Sequence, residues 1–268
     1  MDLNGKTIVV TGAASGIGLA LAERFVQEGA AVVASDLNAE RGAAEADRIG
    51  ARFVPADVGR EEGVQALIEA VLAHERQVDV LCSNAGLAVG NGLEPSDALW
   101  DLSWRVNVMS HIWGARHVLP HMLARGTGAL LQTVSAAGLL TEVHSAPYAV
   151  TKHEALAFAE WLAITYGDQG IHVAALCPEW VQTPLIGQAP HLQADAIAPE
   201  QVADAAVQGL RAGEFLITTH AMTRRAFQAR ANTHDRWLGR VRDLARHTQD
   251  QLAGRHAFPD DLPTQRGN

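Results

Sequence analysis

Short apolar segments alternate with longer segments of helical periodicity along the first two thirds of the chain. The apolar segments predict β-strands at residues 7–10, 31–35, 52–55, 78–82, 129–134 and 171–176. The intervening segments predict helices at 19–29, 39–49, 62–74, 97–123 (in two pieces) and 148–166. Strands and helices that alternate in this way predict parallel strands joined by helical crossovers.

The pattern becomes less regular after Pro184, where we expect a helix at 199–212, a last strand at 214–218 and one helical stretch at 222–252. Strands such as VDVLC and VAALC are apolar on both faces, as in a sheet covered by helices on both sides. We therefore predict an α/β protein with a Rossmann-like, doubly wound parallel sheet. It forms a single domain over 1–219, with a helical C-terminal extension over 220–268.

Composition narrows the class of protein. The 268 residues are 48% hydrophobic and 19% charged, which excludes a disordered chain and a polytopic membrane protein. The formal net charge of −9 argues against a nucleic-acid partner. The charge is uneven, because 220–268 holds nine arginines and five acids while the preceding residues carry a net charge of −13. The extension could bind an acidic surface of its own or a neighbouring subunit, or it could be a solvated helix. We favour a helix that packs between subunits or covers the pocket.

The cysteines and the N-terminus indicate the compartment. Cys82 and Cys177 each lie in an apolar segment, which is typical of buried, reduced thiols. The first residues do not resemble a signal peptide, and no apolar segment has the length of a membrane span. We expect a cytoplasmic protein with no membrane partner.

A glycine-rich turn, TGAASGIG, follows the first strand and precedes the first helix. Glycines there allow a tight turn and let a pyrophosphate approach the backbone N–H groups of the helix N-terminus. This predicts a dinucleotide site that includes Gly12, Ser15, Gly16, Ile17 and Gly18, although loops that merely turn also contain such glycines.

An acid, Asp36, ends the second strand. A carboxylate at that point accepts hydrogen bonds from the adenosine ribose and repels a 2′-phosphate, so we expect NAD rather than NADP. The alternative is an ordinary acid at a strand end.

Several motifs now occur in a characteristic order: TGAASGIG, Asp57-Val58, SNAG at 83–86, Asn107, Ser135 and YAVTK at 148–152. Together they resemble the short-chain dehydrogenase/reductase family, and the resemblance extends from residue 5 to about residue 219. It implies a member that prefers NAD.

The resemblance implies a role for each reacting residue. Tyr148 would be the acid/base, Ser135 would polarise the substrate oxygen, and Asn107 would position a water behind the lysine. Lys152 would hold the nicotinamide ribose, and the i,i+4 spacing puts its ammonium on the same helix face as Tyr148. We expect this ammonium to lower the pKa of the phenol. Lys152 is also one of only two lysines among 21 basic residues, the other being Lys6.

Further cofactor contacts follow from the resemblance. They are Asp57 and Val58 beside the adenine, Asn84, Ala85 and Gly86 along the cleft, and Pro178, Val181 and Thr183 near the nicotinamide. The family usually has Pro-Gly where this chain has Pro178-Glu179. The Glu179 carboxylate could contact a substrate hydroxyl or amine, or face solvent; we favour solvent.

The substrate pocket is predicted from position alone. Leu140, His144, Trp180 and Glu179 are its candidates, within loops at 87–96, 136–146 and 179–198. Their apolar and aromatic content favours a hydrophobic or aryl substrate. His117 and His121 share a helix face, but neither an acid between them nor a third ligand indicates a metal site, so we predict none.

The sequence thus predicts an NAD-dependent oxidoreductase that interconverts a secondary alcohol and a ketone. Two alternatives remain: an enzyme like 3-oxoacyl-carrier-protein reductases, and a non-catalytic NAD-binding regulator on the same fold. The resemblance further implies a homodimer or homotetramer.

Overall fold

The computed structural model describes residues 1–186 and 196–252, with the backbone alone for 247–252. In this part of the chain, seven strands form one sheet. They are β1 (Thr7–Thr11), β2 (Ala31–Ser35), β3 (Arg52–Phe53), β4 (Val80–Ser83), β5 (Gly128–Thr133), β6 (Ile171–Cys177) and β7 (Leu216–Thr218).

Within the described residues, ten α-helices connect or follow the strands. They are α1 (Gly16–Gln27), α2 (Ala39–Ile49), α3 (Glu61–Glu75), α4 (Asp97–Trp104), α5 (Ser110–Arg125), α6 (Ala137–Leu140), α7 (Ala146–Tyr166), α8 (Pro199–Ala212), α9 (Ala221–Asn232) and α10 (His234–Leu252). A π-helical turn, Arg105–Met109, joins α4 to α5, and short 3₁₀ turns occupy Gly167–Gln169 and Pro184–Ile186.

The strand order is β3-β2-β1-β4-β5-β6-β7, and every neighbouring pair is parallel. Val9 in the central strand β1 is in register with Val33 of β2 and with Leu81 of β4. The order reverses between β1 and β4, and ligands bind at the carboxyl ends of the strands at such a point. The predicted fold class, a doubly wound Rossmann-like sheet, is confirmed.

Two apolar layers cover the sheet, one on each face. Ile8 and Val10 point into the layer that contains Phe25 of α1 and Leu210 of α8. Val9 points to the opposite layer, with side chains of α3, α5 and α7. Because successive side chains of a strand point to opposite faces, one β-branched strand supplies both cores.

The C-terminal stretch differs from the prediction of one helix over 222–252. It is broken at Thr233, whose φ of −142° lies outside the helical range, so α9 and α10 are separate. Asn232 and Thr233 are poor helix formers, and the Thr233 hydroxyl donates to the Ala229 carbonyl while its own carbonyl accepts from Trp237 N. The single-helix prediction is therefore wrong.

The two cysteines are buried and unpaired, as predicted. Within the described residues, no helix combines the length and the hydropathy needed to cross a membrane.

Candidate active site

A cleft of about 670 Å³ opens at the carboxyl ends of the strands, and its walls are formed by the loops that follow β1 to β6. Most of the predicted cofactor and reacting residues line it. They are Gly12, Ser15, Gly16, Ile17, Gly18, Asp36, Asp57, Val58, Asn84, Ala85, Gly86, Ser135, Tyr148, Lys152, Pro178, Glu179, Val181 and Thr183.

The glycine-rich turn is packed so closely that side chains cannot enter it. A Cβ on Gly18 would lie 2.0 Å from the Gly12 carbonyl oxygen and 2.6 Å from Asn84 Nδ2. Gly12 has a φ of +68°, and a Cβ there would lie 2.9 Å from Ala85 Cα. The turn can hold this shape only with glycine at both positions, which leaves the N-terminus of α1 open to the cleft.

Asp36 sits at the mouth of this turn. One carboxylate oxygen accepts from Ala14 N at 2.9 Å and the other accepts from Asn38 N at 2.9 Å. Since a carboxylate has about four acceptor sites, it retains capacity for further hydrogen bonds.

Thr11, at the end of β1, ties the turn to the neighbouring strand. Its hydroxyl accepts from Asn84 N and Ala85 N, both at 3.0 Å, and donates to the Cys82 carbonyl at 3.3 Å. Asn84 Nδ2 in turn donates to the Thr11 carbonyl at 2.9 Å. Thr11 is the first residue of the TGAASGIG motif but not one of the predicted site residues, although its place between the strand and the first glycine is a usable signal.

Ser135 follows β5 in a strained conformation, with a φ of +121°. Its hydroxyl accepts from Ala137 N at 3.1 Å and lies 3.4 Å from the Pro178 carbonyl. Non-glycine residues with such backbone angles cost of order 1–3 kcal/mol and cluster at functional sites. The strain and the two contacts hold the hydroxyl at the cleft wall.

Tyr148 and Lys152 lie on the first turns of α7. Ser145 caps this helix by accepting from Tyr148 N at 3.3 Å, and Pro147 occupies its first turn. The cap fixes where the helix begins. Lys152 Nζ then lies 5.7 Å from the centroid of the Tyr148 ring and donates to the Thr133 carbonyl at 3.0 Å.

Burial raises the pKa of Tyr148 to about 12, and the Glu142 carboxylate adds to this, while a hydrogen bond with Ser135 opposes it. The phenol is therefore neutral at physiological pH in the free protein. The expected lowering of the phenol pKa is therefore wrong for this state, because burial disfavours the phenolate and raises the pKa instead.

Burial also lowers the pKa of Lys152 to about 8. The residue is 3% exposed, and none of the ion pairs among the described residues includes its ammonium. Its ammonium is held in a site that disfavours charge, which is characteristic of functional lysines.

Asn107 lies behind the cleft wall, within the π-helical turn. Its amide oxygen accepts from Leu87 N at 2.9 Å, while Nδ2 donates to the Leu87 carbonyl at 2.9 Å and to the Thr151 hydroxyl at 3.0 Å. A Cβ on Gly86 would be 3.3 Å from Asn107 Oδ1 and 3.4 Å from Lys152 Nζ. The side chain thus fixes the loop after β4 next to the lysine, and its role toward a water stays a prediction.

Glu179 lines the cleft, and its carboxylate accepts a hydrogen bond from the Thr223 hydroxyl of α9. The preference for a solvent-facing side chain is therefore wrong.

The other pocket candidates, Leu140, His144 and Trp180, lie outside the cleft lining. The backbone N–H of His144 donates to the Glu142 carboxylate, and Leu140 packs on the core.

Residues that sequence reasoning missed complete the lining. They are mostly apolar: Leu37, Ala56, Gly59, Leu87, Leu102, Val106, Thr133, Val134, Pro184, Leu185 and Ile186. Periodicity marks several of them as apolar, but only the fold shows which ones face the cleft. In the part of the chain that the structure describes, no group of three or more His, Cys, Asp or Glu side chains could hold a metal ion.

Comparison with known proteins decides the family. Residues 6–193 match the family model described as short chain dehydrogenase. The chain belongs to the short-chain dehydrogenase family. A 1-deoxy-11-beta-hydroxypentalenate dehydrogenase of Streptomyces exfoliatus is 38% identical over 199 residues, which are 69% of this chain and 71% of that protein. A 3beta-hydroxysteroid dehydrogenase of Eggerthella lenta is 36% identical over 195 residues, 69% of this chain and 74% of that one.

A solved structure agrees with this family. The short-chain dehydrogenase/reductase of Burkholderia phymatum in complex with NAD superimposes with a TM-score of 0.82 at 28% identity, covering 88% of this chain and 96% of that one. The resemblance expected from the sequence motifs is confirmed. As a short-chain dehydrogenase, the protein is an oxidoreductase.

Proposed function

We propose that this short-chain dehydrogenase interconverts a secondary alcohol and a ketone with NAD as the hydride carrier. The observation that carries the proposal is one continuous cleft that holds both the glycine-rich turn with Asp36 and the cluster of Ser135, Tyr148 and Lys152. Asp36 follows β2 and Ser135 follows β5, which are three strand spacings apart, about 14 Å. A cleft of that length suits an extended dinucleotide.

The charged side chains that line the cleft fit NAD better than NADP. Lys152 is the one cation among the described lining residues. It belongs to the cluster of Ser135 and Tyr148 and lies away from the ribose end. The ribose end instead carries the carboxylates of Asp36 and Asp57, which would repel a 2′-phosphate. The side-chain-free turn at the N-terminus of α1 would receive the pyrophosphate.

The glycine-rich turn and Asp36 would hold the dinucleotide, whose nicotinamide would supply the hydride acceptor for alcohol oxidation. Ser135 donates a hydrogen bond to the substrate oxygen. For oxidation Tyr148 first releases its phenolic proton to solvent, and the phenolate then takes the hydroxyl proton as the carbon–oxygen double bond forms. In the reverse direction Tyr148 returns the proton to the ketone oxygen. Because its pKa in the free protein is about 12, the phenol is already protonated for that step.

Lys152 supports this proton transfer electrostatically. Its ammonium, 5.7 Å from the ring centroid, stabilises the phenolate that alcohol oxidation requires. Asn107 positions the loop on which Gly86 lies, directly beside the lysine.

A hydrophobic secondary alcohol is the proposed substrate class. Leu87, Leu102, Val106, Leu185 and Ile186 give the cleft an apolar wall. The names of the two relatives, a hydroxypentalenate and a hydroxysteroid dehydrogenase, support an alcohol as the substrate.

A direct test is an absorbance screen at the NADH band against a panel of secondary alcohols and ketones, with NAD and NADP in parallel. The proposal predicts turnover of hydrophobic secondary alcohols with NAD. A preference for NADP would overturn the assignment of Asp36. Cofactor binding without turnover of any alcohol or ketone would instead favour a regulator.

We also propose a homo-oligomer. Three apolar side chains of α7, Val150, Trp161 and Ile164, lie on one helix face and are 45%, 53% and 84% exposed. Exposed apolar patches of this kind mark association surfaces. Light scattering should give a mass above that of one chain, and Ile164→Glu should lower it; a monomeric wild-type protein would contradict the proposal.

A further inference from the structure

Glu179 is one residue away from a contact with the reacting cluster of Ser135, Tyr148 and Lys152. It follows Pro178, whose carbonyl accepts from Ala136 N at 2.8 Å and lies 3.4 Å from the Ser135 hydroxyl. Its own side chain is half-buried in the cleft wall. A carboxylate thus stands beside the end of the cleft where Ser135 and Tyr148 meet.

The C-terminal extension holds this carboxylate in place. Thr223 of α9 has no exposed surface, and its hydroxyl donates to Glu179 Oε1. A buried hydroxyl that donates to a carboxylate is a directional contact and fixes the side-chain rotamer.

Helix α9 is itself fixed against the helices that carry the site. The Arg230 guanidinium donates to the Leu139 carbonyl and, at 3.0 Å, to His153 Nε2, one residue after Lys152. Trp237 of α10 is 8% exposed and packs 4.9 Å from the same guanidinium. The extension therefore forms a layer behind Glu179 that resists displacement of its carboxylate.

The negative charge of Glu179 has no cationic partner among the described residues. The ion pairs of the described part of the chain do not include it, and the nearby Arg224 is directed to the Leu216 carbonyl and to Glu214. Its charge consequently acts on whatever occupies the adjoining end of the cleft.

We propose that Glu179, positioned by Thr223, raises the affinity of the site for the oxidised nicotinamide cofactor relative to its affinity for the reduced one. This inference rests on the proposed function. The oxidised ring carries a positive charge, and it becomes neutral when it accepts a hydride. A fixed carboxylate at that end of the cleft attracts only the cationic form. A unit charge acting over about 10 Å through an effective dielectric of about 20 changes the affinity roughly tenfold.

The test measures the dissociation constants of NAD and NADH in the absence of substrate, by calorimetry and by NADH fluorescence. Glu179→Gln retains the shape and removes the charge. In this variant we expect the dissociation constant of NADH divided by that of NAD to fall about tenfold, mainly because NAD binds more weakly. Glu200→Gln, an exposed acid on α8 outside the cleft, is the matched control and should leave the ratio unchanged.

The role of Thr223 is tested in the same measurement. Thr223→Val frees the carboxylate and should lower the ratio part of the way, whereas Thr223→Ser keeps the hydroxyl and the wild-type ratio. A wild-type ratio in Thr223→Val would overturn the positioning by α9.

Two failures are distinguishable. If the wild-type protein binds both cofactor forms and Glu179→Gln does not change the ratio, the inference is wrong and the proposed function stands. If the wild-type protein binds neither form, the proposed function fails and the inference with it.

Discussion

Lys152 links the reaction to the stability of the fold. Its pKa lies near 8 in the folded protein, against 10.5 for an ordinary lysine, because burial disfavours the ammonium. Each tenfold change in a protonation constant corresponds to about 1.36 kcal/mol, so burial of the charged form opposes folding by about 3 kcal/mol at neutral pH. Replacement by methionine removes the charge and retains most of the side-chain length.

Lys152→Met should therefore be more stable than the wild-type protein at pH 7 while it is inactive. The lost hydrogen bond to the Thr133 carbonyl offsets part of the gain, by about 1 kcal/mol. We expect a net increase of about 2 kcal/mol in the free energy of unfolding, which raises the melting temperature by about 4–8 °C.

The pH dependence of this difference identifies its cause. The folded pKa of Lys152 is below the unfolded one, so between about pH 8 and pH 10.5 the unfolded chain binds a proton that the folded chain has released. The wild-type protein consequently gains stability relative to Lys152→Met as the pH rises through this window.

Urea unfolding of both proteins at closely spaced pH values, without cofactor, measures the effect. Lys6→Met makes the same replacement at the other lysine, half-buried at the start of β1 and outside the cleft, and should change stability at pH 7 by less than about 0.5 kcal/mol. A Lys152→Met protein that is less stable than wild type at pH 7, with a difference that is constant up to pH 10.5, would refute the reasoning.

Three further predictions concern the cleft. Lys152→Arg keeps the charge but introduces a larger, planar group, so turnover in the NADH absorbance assay should fall at least about tenfold. Lys6→Arg is the control and should retain wild-type turnover. Equal rates in the wild-type protein and both variants would contradict this prediction. Gly18→Ala should weaken NAD binding at least about tenfold in a calorimetric titration, because the added Cβ would lie 2.0 Å from the Gly12 carbonyl oxygen. Gly239→Ala in α10 is the control, since its Cβ would have no atom within 4 Å, and it should bind NAD normally. Asp36→Asn should narrow the difference between the NAD and NADP dissociation constants, and an unchanged difference would show that the carboxylate does not select the cofactor.

The fold could be predicted from the sequence because its strands are short apolar segments between amphipathic helices. Val9, for example, alternates with Ile8 and Val10, and each of them is buried in one of the two layers that cover the sheet. The break at Thr233 is not predicted, because helical periodicity continues on both sides of the two poor helix formers, Asn232 and Thr233.

The composition of the candidate site could be predicted only in part. The ordered motifs and the family that they resemble were sufficient to single out Ser135, Tyr148 and Lys152, which the fold brings to one cleft. Their protonation depends on burial, which the sequence does not report, and the phenol accordingly has a raised rather than a lowered pKa. The contact between Glu179 and Thr223 joins residues 44 positions apart, so no local pattern could indicate it.

Tyr148→Phe tests the central claim most directly, because it removes one hydroxyl and leaves the aromatic ring in the cleft wall. The measurement is kcat for a secondary alcohol identified in the screen, together with the NAD dissociation constant of the same variant. General acid/base catalysis contributes typically about 10²–10⁴-fold, so kcat should fall at least about 100-fold while NAD binding is retained within a few fold. A variant that binds NAD normally and turns over at the wild-type rate would contradict the account.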